Sequence, residues 1–154
     1  SKDEIMKSIY AKGRDNARTP MQWDDSDNAG FTTGKPWFKI SDRYKEINVK
    51  QALADKDSIF YYYKKLIELR HKESILTDGD YQLLLPEDEK IFAYLRNTEN
   101  ESWLVTANMS EDNVATDKLK TAVKGKQEII IGNYERADLK ETLRPYEAFM
   151  MRIK

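Results

Sequence analysis

The chain has 154 residues, enough for one ordinary domain with an appendage and too few for a complete (β/α)8 barrel of roughly 250 residues. Its 26 basic and 27 acidic side chains leave a formal net charge of −1 and no like-charge block long enough to follow a phosphate backbone, which removes nucleic acid as an expected partner. There is no cysteine for a disulfide or thiolate metal site, no apolar run near the ~20 residues of a membrane span, and no signal-peptide core behind Ser1-Lys2-Asp3-Glu4, so a reducing cytoplasm suits the chain.

In chain order, Ser1 with Glu4 reads as a capping box, and Ile5, Met6, Ile9 and Tyr10 follow at helical spacing. A short helix is expected over 3–12, ending at Gly13. From Arg14 to Tyr44 the periodicity vanishes and Gly, Pro, Asp, Asn and Thr accumulate, a length of irregular chain that argues for a functional loop. Asn48 with Gln51 is a second capping box and starts a brief helix through Ala54. Asp57 reads as the cap of the strongest helix, whose stripe of Ile59, Phe60, Tyr63, Leu66, Ile67 and Arg70 needs a partner surface. Beyond Asp78 short runs rich in β-branched and aromatic residues, separated by turn chemistry, predict strands near 79–85, 90–97, 102–108, 114–115, 128–133, 141–143 and 147–153. Their spacing predicts an antiparallel sandwich, with Tyr94 and Trp103 expected to face inward.

The densest hydrogen-bonding capacity lies in Gly13 to Trp23, reading G-R-D-N-A-R-T-P-M-Q-W and followed by Asn28-Ala29-Gly30-Phe31-Thr32. This run closely resembles the loop after the eighth barrel strand in the α-glucosidase branch of the α-amylase superfamily. The resemblance continues through Tyr44-Lys45-Glu46-Ile47-Asn48-Val49, the 57–67 helix and Leu143-Arg144-Pro145-Tyr146-Glu147-Ala148. It implies a mainly β fold class: a C-terminal antiparallel Greek-key β-sandwich, preceded by an irregular loop and helices that complete a TIM barrel in a longer enzyme. The domain division it implies is 1–76 for the end of the catalytic barrel and 77–154 for the sandwich.

The same resemblance implies a fragment of a retaining glycoside hydrolase that releases glucose from short α-1,6-linked or other α-linked oligosaccharides, with all three catalytic carboxylates upstream of Ser1. By that carry-over Arg14 is the substrate-binding residue, because its planar fork can hold a carboxylate and still donate to sugar hydroxyls at any working pH. Asp15 and Arg18 are expected to support the loop, through an ion pair or backbone contacts. Trp23, Phe31, Trp37 and Phe38 offer faces for pyranose stacking, with anchoring of the loop as their simpler role.

The residues themselves give no catalytic assignment. Asp24, Asp25 and Asp27 lie in a flexible Ser- and Asn-containing turn that neither buries an acid nor fixes a carboxylate separation. Tyr61, Tyr62 and Tyr63 point around a helix and cannot form one platform. His71, the only histidine, sits among charged residues with no ligand set, so no metal and no cofactor are expected. Asn100 and Asn108 begin Asn-x-Ser sequons of the kind that arise by chance. The expected partner is an oligosaccharide, with self-association through the helix stripe as a second expectation. The alternative to an enzyme fragment is a stand-alone β-sandwich that binds glucan or stabilises a neighbour, and aromatics aligned on one exposed sheet face would favour it.

Overall fold

The computed structural model describes residues 1–135, 138, 139 and 141–154, with the side chain of Asn16 also outside the described set. The chain divides into two compact units, Ser1–Ile67 and Glu68–Lys154.

The first unit opens with α1, Lys2–Lys12, whose capping box closes between Ser1 and Glu4. Gly13 ends it as expected but by a different device: its backbone is extended, and a Cβ there would lie 2.5 Å from the Ile9 carbonyl oxygen that accepts the Gly13 N–H. Two further helices follow, the short α2 at Val49–Ala54 and the longer α3 at Ile59–Lys72. The start of α3 falls one residue later than the Asp57 cap predicts. The Asp57 N–H is taken by the Asp55 carboxylate at 2.9 Å, and the Ser58 carbonyl accepts the first helical bond from Tyr62 at 3.1 Å. Ile59, Phe60, Tyr63 and Ile67 leave an exposed apolar stripe along α3. The tyrosine triplet indeed scatters: Tyr61 turns toward α2, donating to the Leu53 carbonyl at 3.0 Å beneath the Lys56 ammonium, while Tyr63 is exposed.

The second unit begins in the last turn of α3, adds the single turn α4, Ile75–Asp78, and then becomes the expected antiparallel sandwich. Its strands are β1 Asp80–Leu84, β2 Ile91–Asn97, β3 Ser102–Asn108, β4 Val114–Ala115, β5 Gln127–Gly132, β6 Thr142–Leu143 and β7 Ala148–Ile153. Five form one sheet in the order β1-β2-β3-β7-β5, every neighbour antiparallel, and β4 pairs with β6 in a second. The sheet thus pairs β3 directly with the last strand, while β4 and β6 between them in sequence cross to the other layer.

Alternation along the central strands supplies the core. Ile91, Ala93 and Leu95 of β2, Leu104 of β3, and Phe149, Met151 and Ile153 of β7 meet Leu119, Val123, Leu139 and Leu143 from the opposite side. Two of those, Leu119 and Val123, come from a helix that strand patterns did not predict, α5 at Asp117–Ala122, and the residue after it. Six residues with one core-facing leucine carry no helical periodicity, and only tertiary burial reveals the turn.

Tyr94 and Trp103 correct the inward-facing expectation. Both lie on the sheet face opposite Leu95 and Leu104, since residues one apart in a strand point to opposite sides. Trp103 is nevertheless fully buried, under the Arg152 guanidinium 4.8 Å from its ring, with the Glu73, Glu101 and Glu128 carboxylates gathered around that cation.

The corner before β7 explains the run from Leu143 to Ala148. Tyr146 takes a positive φ of 53°, which folds Glu147 back beneath Arg144. The buried Glu147 carboxylate accepts from the Arg144 backbone N–H at 2.8 Å and from its guanidinium at 2.9 and 3.1 Å. This contact raises the Arg144 guanidinium further above its ordinary range. Asn108 ties the corner to β3, its side-chain amide donating to the Arg144 and Asp112 carbonyls at 2.8 and 2.7 Å. One sequon is therefore occupied by structure: Asn108 is buried with its amide engaged, whereas Asn100 is exposed in the β2–β3 turn.

Truncating the core and the outer face should separate their roles. Leu104→Ala is expected to cost about 2–5 kcal/mol of unfolding free energy. Phe92→Ala, half-exposed on the outer face, should cost under about 1 kcal/mol. Urea titration followed by circular dichroism checks both, and equal losses would contradict the assignment of the core to one face.

Candidate functional site

The long irregular stretch of the first unit is ordered by backbone bonds to a helix start. In α2 the Asn48 side chain accepts from the Gln51 N–H at 2.9 Å, the standard N-cap bond. That leaves the first two helical amides without partners inside the helix. Val49 donates to the Gln22 carbonyl at 2.9 Å and Lys50 to the Trp23 carbonyl at 3.0 Å, so the loop supplies the acceptors the helix lacks. The Gln22 side chain donates to the Ile47 carbonyl at 2.7 Å, and the Asn48 amide to the Tyr44 carbonyl at 2.8 Å. Asn48 is buried as a result.

Arg14 stands immediately after Gly13, at the mouth of a short 3-10 turn over Asp15–Ala17. Its carbonyl accepts the Ala17 N–H at 3.1 Å, and that of Asp15 accepts the Arg18 N–H at 3.0 Å. The side chains of Arg14, Asp15 and Arg18 are exposed, and among the described residues no ion pair joins Asp15 to either arginine. The bracing visible at this turn is backbone bracing. Trp23 and Phe31 are half-exposed, Trp37 is almost wholly exposed at 93 %, and Phe38 is partly buried.

Two acids of the loop, Asp24 and Asp25, are held in their ionised form. Asp24 accepts from the Ser26 hydroxyl and, at 2.9 Å, from the Ser26 N–H, which together hold its carboxyl below the usual carboxylate range. Lys50, 3.0 Å from Asp25, donates a hydrogen bond that lowers the Asp25 carboxyl and raises the lysine in return. A general acid needs the opposite shift, toward neutrality at working pH. Among the described residues no cluster of His, Asp or Glu could hold a metal ion, and no helix is long and apolar enough to cross a membrane.

Sequence reading found Asn48 and Gln51 through the capping pattern and missed Gln22 and Asn28. The Asn28 amide donates to the Thr32 and Gly34 carbonyls, both at 3.1 Å. Part of a signal was present: Asn28 and Gly30 both tolerate left-handed backbone, although Ala29 between them does not.

Asn48→Ala removes the cap and the Tyr44 bond together. About 1–2 kcal/mol of local stability is expected to go, read as faster amide exchange at Gln51, Val49 and Lys50 with the β-sheet amides unchanged. Unaltered exchange at those three positions would show that the loop does not lean on the α2 start.

Comparison with known proteins also splits the chain in two, twelve residues later than the structural units do. The model for the alpha amylase catalytic domain matches residues 1–79, and that for the maltogenic amylase C-terminal domain matches residues 81–150. An oligo-1,6-glucosidase of Heyndrickxia coagulans is 52 % identical over 148 residues, which are 96 % of this chain and 26 % of that protein. A trehalose-6-phosphate hydrolase of Escherichia coli K12 is 44 % identical, over 95 % of this chain and 27 % of its own length. Among solved structures, a Bacillus licheniformis trehalose-6-phosphate hydrolase superposes with a TM-score of 0.85 at 42 % identity, covering 97 % of this chain and 28 % of the other. The isomaltulose synthase of Klebsiella sp. LX3 gives 0.79 at 38 % identity, over 92 % and 26 %. The chain thus spans about a quarter of the length of the proteins it matches.

Proposed function

The chain belongs to the alpha-amylase family, and on that premise we propose that it serves as the C-terminal part of a retaining glycoside hydrolase acting on short α-linked gluco-oligosaccharides, α-1,6 linkages foremost. The observation that carries this reading is the braced loop from Gly13 to Gly34, in a chain half identical to oligo-1,6-glucosidases along nearly all its length. Residues 1–76 are assigned to the end of the catalytic barrel and 77–154 to the C-terminal sandwich, a division supported by the break between the two family matches after residue 79.

Retaining hydrolysis needs two carboxylates about 5–5.5 Å apart, one nucleophilic and one able to give and take a proton. Asp24 and Asp25 are poorly suited to giving and taking a proton, because hydrogen bonds from Ser26 and Lys50 hold them ionised. On this reading the reacting carboxyl groups belong to the rest of the enzyme, since the chain spans about a quarter of the length of its relatives. Arg14 contributes binding: an exposed guanidinium at a fixed turn can pair with a carboxylate across the sugar pocket and donate to hydroxyls of the terminal glucose. Asp15 and Arg18 frame that turn. A cytoplasmic setting agrees with the absence of cysteine. The exposed stripe of α3 would let copies of the isolated chain associate.

One observation favours the second reading, a glucan-binding module. Tyr81, Tyr94 and Phe92 lie in ring contact on one sheet face, with centroids 5.1 and 5.7 Å apart. Saturable quenching of tryptophan fluorescence by dextran would promote it.

A hybrid tests the first reading. Replacing the matching quarter of the Bacillus cereus oligo-1,6-glucosidase, 50 % identical to this chain, should leave isomaltose hydrolysis intact. Arg14→Ala in that hybrid should lower kcat/KM on the order of 100-fold. Full activity of the Arg14→Ala hybrid would remove Arg14 from the site, and an inactive parent hybrid that folds would count against the hydrolase reading itself.

A further inference from the structure

The least expected backbone in the first unit is Asn28-Ala29-Gly30, where φ is 52°, 57° and 65° in succession. A side chain rarely accepts the left-handed region, and Ala29 has nothing in its own chemistry that favours it. Burial and hydrogen bonds compensate. Ala29 is fully buried, its carbonyl accepts the N–H groups of Trp23 at 2.9 Å and Asp24 at 3.3 Å, and its own N–H reaches the Ser26 carbonyl at 2.9 Å. Gly30 is the residue this packing permits, since a Cβ there would lie 2.8 Å from the Asp24 carboxylate.

The turn is closed from its far side by Asn28. Its side-chain amide spans the Thr32 and Gly34 carbonyls, its carbonyl accepts the Phe31 N–H at 3.0 Å, and asparagine tolerates positive φ better than most residues. Trp23 and Phe31 flank the turn in sequence, and the chain on its near side, Gln22-Trp23, is the piece bonded to the start of α2. A loop fixed at both ends and pinned in the middle loses little entropy when it meets a ligand.

We propose that the Asn28 amide presets the 22–34 loop as a rigid binding edge, standing in its final shape before any saccharide arrives. The saccharide in this statement rests on the glycoside hydrolase reading; the presetting does not. Amide hydrogen exchange on the full 154-residue chain tests it with three substitutions. Asn28→Gly keeps the freedom to adopt positive φ and loses the amide, Asn28→Asp keeps much of that tolerance but turns a carboxylate toward two carbonyls, and Ala29→Gly relieves the φ strain while leaving the amide in place.

The expected result is protection of the Trp23, Ala29 and Phe31 amides in the native chain. It falls about tenfold or more in Asn28→Gly and Asn28→Asp, and is kept or raised in Ala29→Gly. Leu104 and Met151 in the β unit exchange as before. Protection that survives Asn28→Gly would overturn the proposal, as would an unprotected native loop or a loss that extends to Leu104 and Met151. None of these readings depends on glucose release, so the loop and the hydrolase assignment can fail separately.

Discussion

The candidate site depends on two amide hydrogens at the start of α2. A helix leaves its first N–H groups without internal partners, and a six-residue helix has little stability to spare for that deficit. Here the third amide is capped by Asn48, and the first two are given to the carbonyls of Gln22 and Trp23. One exchange solves two problems: a short helix becomes tenable, and a long segment without regular structure acquires a fixed edge. The Gln22 amide and the Asp25–Lys50 pair repeat the connection with side chains, the second of them exposed and correspondingly weak.

The β unit solves a similar problem with charge. Glu147 is almost entirely buried, which is tolerable because Arg144 meets its carboxylate with three donors and then lies 4.1 Å from the Tyr134 ring. Asn108 couples this corner to β3, so the last strand enters the sheet at a fixed register between β3 and β5. The polar residues in this corner are structural, and their burial does not mark a reacting group.

Much of this was legible in the sequence, for identifiable reasons. The strands from β1 to β7 announced themselves because one face of each central strand is apolar and the turns between them are rich in Asn, Asp and Glu. Helix α5 stayed hidden because its short run has one core leucine and no repeat. An aromatic residue in a strand reads as core by default, and alternation cannot say that the face bearing Trp103 is covered by Arg152 and its carboxylates. In the site, the capping pattern at Asn48 could be read directly. What Asn28 does could not, because its partners lie four and six residues away and only a left-handed turn brings them together.

Function follows the same boundary between what is built here and what is not. The chain offers a fixed turn carrying Arg14, a braced edge with Trp23 and Phe31, and a sandwich beside them in sequence. Asp24 and Asp25 are committed to hydrogen bonds that keep them charged, the opposite of what a proton-donating acid needs. The most direct measurement is glucose release by the purified chain at high concentration, from isomaltose and from an aryl α-glucoside. A rate indistinguishable from the buffer blank is predicted, and turnover that persists through purification and vanishes on replacing Asp24 or Asp25 with asparagine would contradict the account.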